Sequence, residues 1–165
     1  MITIGLFGTC GGSKWRDPFI EKYKQLGYSF FNPQVDDWRP EYANIEAKHL
    51  VEDEIILFPV TDETYGLGSL AETGFSINQV LKSAKNRSVV LLIEPRVKEE
   101  LEIANPSLAK ESMRSRALVT AHLKQVNHPN VYFVNNLEDM LRASLKLYSV
   151  HNILKQLRNE TNGTS

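Results

Sequence analysis

The stretch Ile2-Thr3-Ile4-Gly5-Leu6-Phe7-Gly8-Thr9-Cys10-Gly11-Gly12-Ser13-Lys14-Trp15-Arg16 decides how the rest of the chain is read. An apolar run of strand length stops at a glycine-rich loop. Beyond the loop, Phe19, Ile20, Tyr23 and Leu26 recur at helical spacing until Gly27, a plausible stop. Strand, glycine-rich turn and helix in that order open a βαβ unit. The loop is neither GxGxxG nor GxxxxGK[ST], so it matches neither the dinucleotide fingerprint nor the P-loop. Its glycines still let a backbone approach a ligand closely, and N–H groups near a helix start can hold an anion. Lys14 and Arg16 add candidate positive charge. The plainer reading is a tight turn with solvated basic residues. Cys10 is either an activated thiol or a small packing residue.

Working outward, the alternation repeats. Tyr28 to Phe31 reads as a second strand, closed by Asn32-Pro33, and Glu41 to Glu52 as a helix. Glu54 to Val60 reads as a third strand, expected to fray at Pro59, which cannot donate to a ladder. Ser69 to Ser83 reads as a helix and Arg87 to Ile93 as a strand. A helical stretch follows from about Ser107 to Gln125, then a strand from Val131 to Val134 and a helix from Leu137 to Leu157. Such alternation implies right-handed crossovers and a parallel sheet covered on both faces. The expectation is a flavodoxin-like or Rossmann-like three-layer α/β sandwich, five strands in the order 2-1-3-4-5, forming one domain over 1–158 with a flexible polar tail at 159–165. Ligands of such sheets sit beyond the carboxyl ends of the strands, where the order reverses.

Three loops therefore carry the candidate site: 8–16, 32–39 and 61–72. In the second, Asp36 and Asp37 beside Trp38 suit sugar hydroxyls or a base, and Trp38 offers a face for stacking. One of the aspartates serves equally well as a helix cap. In the third, Ser69-x-x-Glu72 has capping-box spacing, with Ser69 as N-cap and Glu72 at N3. The fold would nevertheless point Glu72 into the shared cleft, and a helix N-terminus would favour its anion. Gly74, inside that helix at a cost of about 1 kcal/mol relative to Ala, suggests a close neighbour or ligand.

Bulk properties narrow the classes. The chain has 165 residues, 42% hydrophobic and 24% charged, and a net charge of -1. That balance offers no general attraction to nucleic acid or to an anionic membrane. One cysteine excludes an intramolecular disulfide. The opening residues lack the flanks of a signal peptide, and no apolar run approaches the roughly 20 residues of a membrane span. A cytoplasmic protein is expected. His49, His122, His128 and His151 show no metal-ligand spacing and read as surface or helix-face residues. Arg114 and Arg116 read as solvated, and Glu99, Glu100 and Glu102 as an exposed face.

Taken together, the loops resemble the nucleoside 2-deoxyribosyltransferase-like family. The resemblance lies in Gly8-Thr9-Cys10 with Ser13-x-Trp15-Arg16, in Phe31-Asn32-Pro33 with Val35-Asp36-Asp37-Trp38, and in Tyr65-Gly66 with Ser69-x-Ala71-Glu72. It covers about residues 1–95. It implies N-glycosidic chemistry, deoxyribosyl transfer or hydrolysis, on a nucleoside or nucleotide, with no metal and no cofactor. It assigns Glu72 as the nucleophile that forms a glycosyl-enzyme intermediate. It gives Asp36 and Asp37 roles at the base or sugar and Asp62 a weaker one. Gly8, Thr9, Cys10, Ser13, Trp15, Arg16, Asn32, Trp38, Gly68 and Ser69 complete the expected substrate-binding set. It also raises the prospect of a homo-oligomer in which a neighbour completes the site. A non-catalytic nucleotide-sensing module using the same cleft is the alternative, with Glu72 only capping its helix.

Overall fold

A computed structural model describes residues 2–37, 39–82 and 86–162. The elements in chain order are β1 (Thr3–Leu6), α1 (Arg16–Leu26), β2 (Ser29–Phe31), α2 (Pro40–Glu52), β3 (Ile55–Val60) and α3 (Leu67–Lys82). They continue as β4 (Ser88–Ile93), α4 (Glu99–Ala104), α5 (Pro106–Leu123), β5 (Val131–Phe133) and α6 (Leu137–Asn162). All strand pairs are parallel. The order is β2-β1-β3-β4-β5, so the sequence reversal falls between β1 and β3.

The two-residue period of the strands divides the core between the sheet faces. Ile55 and Leu57 of β3, with Val90 and Leu92 of β4, pack on one side with Trp15, Phe19, Tyr23, Met140 and Tyr148. Ile56, Phe58 and Val60, with Val89 and Leu91, pack on the other with Leu50, Leu70, Ile77, Val80 and Leu123. Helices α1 and α6 thus cover one face and α2, α3 and α5 the other, as near-continuous apolar strands require.

Several local expectations are revised. Strand β3 does not fray at Pro59, which stays in register with Leu92. The ring nitrogen faces Gly8, beyond the end of β1, so no ladder partner is lost, and the Pro59 carbonyl still accepts from the Thr9 N–H at 2.8 Å. Residues 99–104 form the separate helix α4. Helix α6 reaches Asn162, so the start of the expected polar tail is helical. The deepest stripe of α6 is Met140, Ser144, Tyr148 and His151. His151 is therefore an interior histidine, not a surface one. Burial pushes the Tyr23 phenol up, opposed by its hydrogen bond with Ser144. No helix among the described residues is long and apolar enough to cross a membrane.

Candidate active-site cleft

The first loop is held in place by backbone and side-chain contacts. Gly8 has φ +89°, and a Cβ there would lie 2.2 Å from the Pro59 carbonyl oxygen, so only glycine fits. Thr9 is fully buried. Its hydroxyl accepts from the Thr61 N–H at 2.8 Å and lies 3.3 Å from the Pro59 carbonyl, tying the first loop to the end of β3. Trp15 is also buried, with its indole N–H donating to the Thr9 carbonyl at 2.9 Å.

Arg16 is 1% exposed. Its guanidinium donates to the carbonyls of Leu6 and Thr9, to Gln34 Oε1 and to Cys10 Sγ. Burial pushes its pKa down from the usual arginine range, against an upward pull from Cys10 and then Glu46. Three of its four contacts are oxygens of the chain. The Ser-x-Trp-Arg motif therefore braces the loop from beneath, and Arg16, expected to bind substrate, is an internal fastener.

The third loop has a matching fastener. Arg116 of α5 is fully buried rather than solvated. All five of its N–H donors have acceptors: Ser112 Oγ and the carbonyls of Val60, Glu94, Thr61 and Thr64. Burial lowers its pKa; Glu94 and then Asp62 oppose this. Arg114, by contrast, is exposed beside Glu111. The first and third loops are also clipped together, because the Ser13 and Thr61 hydroxyls both meet Glu63 Oε2.

Over the carboxyl ends of β1, β2 and β3 these loops enclose a cleft of about 620 Å³. From the expected site it gathers Gly8, Cys10, Asp36, Gly68, Ser69 and Glu72. Thr9, Ser13, Trp15 and Arg16 do not line it and act beneath it. Asn32 does not line it either; its Oδ1 accepts from the Gln34 N–H at 3.0 Å and shapes the second loop. Asp37 is exposed and paired with Arg39 at 2.8 Å. Asp62 lies at the side, where its N–H donates to Glu94. Trp38 lies outside the described residues. Cys10 is a free, exposed thiol within 3.4 Å of the Gly8 carbonyl.

The residue sequence reasoning missed is Glu46 of α2, which faces the same cleft. Reading α2 only for its apolar positions, Ala43, Ala47 and Leu50, passed over the neighbouring face. Asp36, Glu46 and Glu72 are the ionisable carboxylates of the lining. No Lys, Arg or His is among the described residues that line it.

The local setting of Glu72 differs from the expected capping box. Helix α3 begins at Leu67, so Glu72 is its sixth residue and Ser69 lies within the first turn. Ser69 instead accepts, through its carbonyl, from the Thr73 hydroxyl at 2.7 Å. The helix-end field fades beyond the first turn. Glu72 opens to solvent at the mouth of the cleft but has protein on its inner side. This partial desolvation, and then the charge of Glu46, push its carboxyl above the usual glutamate range. The expected stabilisation of its anion is thus outweighed. Nor does Gly74 mark a close neighbour: a Cβ there would meet nothing within 4 Å.

In comparisons with known proteins, the chain matches no family model and no curated protein. Among the described residues no cluster of three or more His, Cys, Asp or Glu is arranged to hold a metal ion.

Proposed function

We propose that the cleft carries out N-glycosidic bond chemistry on a nucleoside, with Glu72 as nucleophile. The observation that carries this reading is the meeting of Glu72 with Asp36 and a glycine-rich backbone loop in one cleft at the carboxyl end of the sheet. Its volume lies within the roughly 300–1,000 Å³ of small-molecule sites. The resemblance to nucleoside 2-deoxyribosyltransferases supplies the reaction class, and its key carboxylates fall on Asp36 and Glu72.

In the proposed sequence, a carboxylate oxygen of Glu72 attacks C1′ through an oxocarbenium-like transition state. The C1′–N bond breaks and its electron pair leaves with the base. A proton from solvent neutralises the departing base, while Asp36 at the cleft wall holds the base by a hydrogen bond. A second base or water then attacks C1′, the ester bond breaks, and the Glu72 carboxylate is restored. An acceptor base gives transfer; water gives hydrolysis. Asp37, paired with Arg39 outside the cleft, has no part in these steps.

The charge of the lining favours an uncharged nucleoside over a nucleotide. Three carboxylates face the cleft, while the guanidinium of Arg16 is committed beneath it. A phosphate would meet repulsion without a matching side-chain cation.

The test is chromatographic. Ribo- and deoxyribonucleosides, their monophosphates and NAD are incubated with the protein, with and without an acceptor base. Release or exchange of base from nucleosides, abolished in a folded Glu72→Ala variant, is the expected result. Absence of turnover across the panel, with nucleoside binding intact, would replace catalysis with a sensing role for the same cleft.

A further inference from the structure

We propose a second ligand site at the opposite end of the sheet, for a small molecule bearing a phosphate group. The amino ends of β1 and β4 and the last turns of α6 enclose a cavity of about 370 Å³. Its polar lining comprises Glu54, Asn86, His151, Lys155, Arg158 and Asn159. Two lysine or arginine cations thus face one carboxylate, the reverse of the balance in the cleft.

His151 gives the cavity a directed polar group. The residue is 5% exposed. Its Nε2 lies 3.1 Å from Ser88 Oγ, which fixes the ring. No hydrogen bond to its Nδ1 is present among the described residues, and His151 is one of the residues that line the cavity. In the tautomer in which Ser88 donates to Nε2, the neutral imidazole carries its proton on Nδ1 and has a donor to give there; a bound phosphate selects that tautomer.

The neighbouring groups are set up in the same sense. Asn130 donates to the side-chain oxygen of Asn86 at 3.3 Å, which leaves the Asn86 NH₂ to donate elsewhere. One Glu54 oxygen accepts from the Thr3 N–H at 2.9 Å, so this carboxylate is anchored to the backbone of β1. Lys155 has no carboxylate partner among the described residues. A phosphate group takes charge-assisted hydrogen bonds from Lys155 and Arg158 and neutral ones from His151 and Asn86. The donors outnumber what a lone carboxylate needs and suit the three terminal oxygens of a phosphate.

The experiment is a titration of the full chain with inorganic phosphate, followed by ¹⁵N–¹H correlation spectra and by the imidazole signals of His151. Ionic strength is held constant with chloride. Saturable shifts are expected at Asn86, at 151–159 and in the His151 ring, with residues 8–12 unmoved. The Lys155→Gln/Arg158→Gln double variant should weaken the apparent affinity at least about tenfold, whereas Lys146→Gln on the same helix leaves it unchanged. Shifts that never saturate, an unchanged affinity in the double variant, or shifts confined to 8–12 would each overturn the proposal. None of these readouts depends on nucleoside turnover, so this site and the glycosidic reading stand or fall separately.

Discussion

The two ends of the sheet handle charge in opposite ways. At the carboxyl end, Arg16 and Arg116 are buried and donate mostly to backbone carbonyls, while Asp36, Glu46 and Glu72 face the opening. At the amino end, Arg87 is buried in the same fashion, donating to the carbonyls of Leu50 and Asp53. There, however, Lys155 and Arg158 remain at the wall of a cavity. Carbonyls at strand ends need donors once they leave the ladder, and a guanidinium meets several of them at once. Cations serve as braces at both ends. What differs is which charges line the opening at each end.

This contrast is open to direct attack, and the largest effect belongs to the braces. Replacing Arg116 with Ala takes a donor from four carbonyls, of which Val60 keeps the Glu94 N–H, and leaves a void, so it should lower stability by about 4 kcal/mol. Denaturant unfolding measures this; a loss below about 1 kcal/mol would mean that water replaces the guanidinium without penalty.

Next comes the cleft itself. Glu72→Gln keeps the shape of the side chain and removes the nucleophile, so kcat for base release or exchange should fall about a thousandfold, with stability nearly unchanged. A fall of only a few-fold would assign the attack to another group.

A subtler change concerns the pair of glutamates. Only ionised Glu72 attacks, so activity should rise with pH through its raised pKa. Glu46→Gln removes one of the two causes of that rise, so the acid limb of the pH–kcat profile should shift toward lower pH. An unmoved limb would show that Glu46 does not sense the Glu72 charge. Smallest of all, Asp37→Asn breaks only an exposed pair with Arg39, and thermal unfolding should register about 0.5 kcal/mol or less, with turnover retained.

The sheet order and the three site loops were legible in the sequence because they depend on local patterns. Apolar runs of strand length, glycine after the first strand and helical spacing beyond it are properties of neighbours in the chain. Glu72 and Asp36 could be placed in one cleft because strand order alone brings their loops together. The roles of Arg16 and Arg116 were not legible. Arg116 is buried by carbonyls far away in sequence, such as Val60 and Thr64, and Arg16 by the Leu6 and Thr9 carbonyls that only the folded-back first loop brings to it. Trp15 and Arg16 stood out as a motif, but their position on the inner side of α1 makes them supports rather than contacts. Glu46 and His151 escaped for a related reason: each occupies the polar position of a helix whose apolar residues had already explained the pattern. The start of α3 was misplaced by two residues because Ser69-x-x-Glu72 imitates a capping box.

The central claim is that Glu72 forms a bond to the sugar. A nucleoside found to turn over is resynthesised with fluorine at C2′, which destabilises the oxocarbenium-like transition state and slows breakdown of the intermediate. The protein is then digested and its peptides are weighed. The account predicts a single fluoroglycosyl adduct on the peptide containing Glu72, absent in Glu72→Gln. Base turnover with no adduct, or an adduct on any other residue, would contradict it.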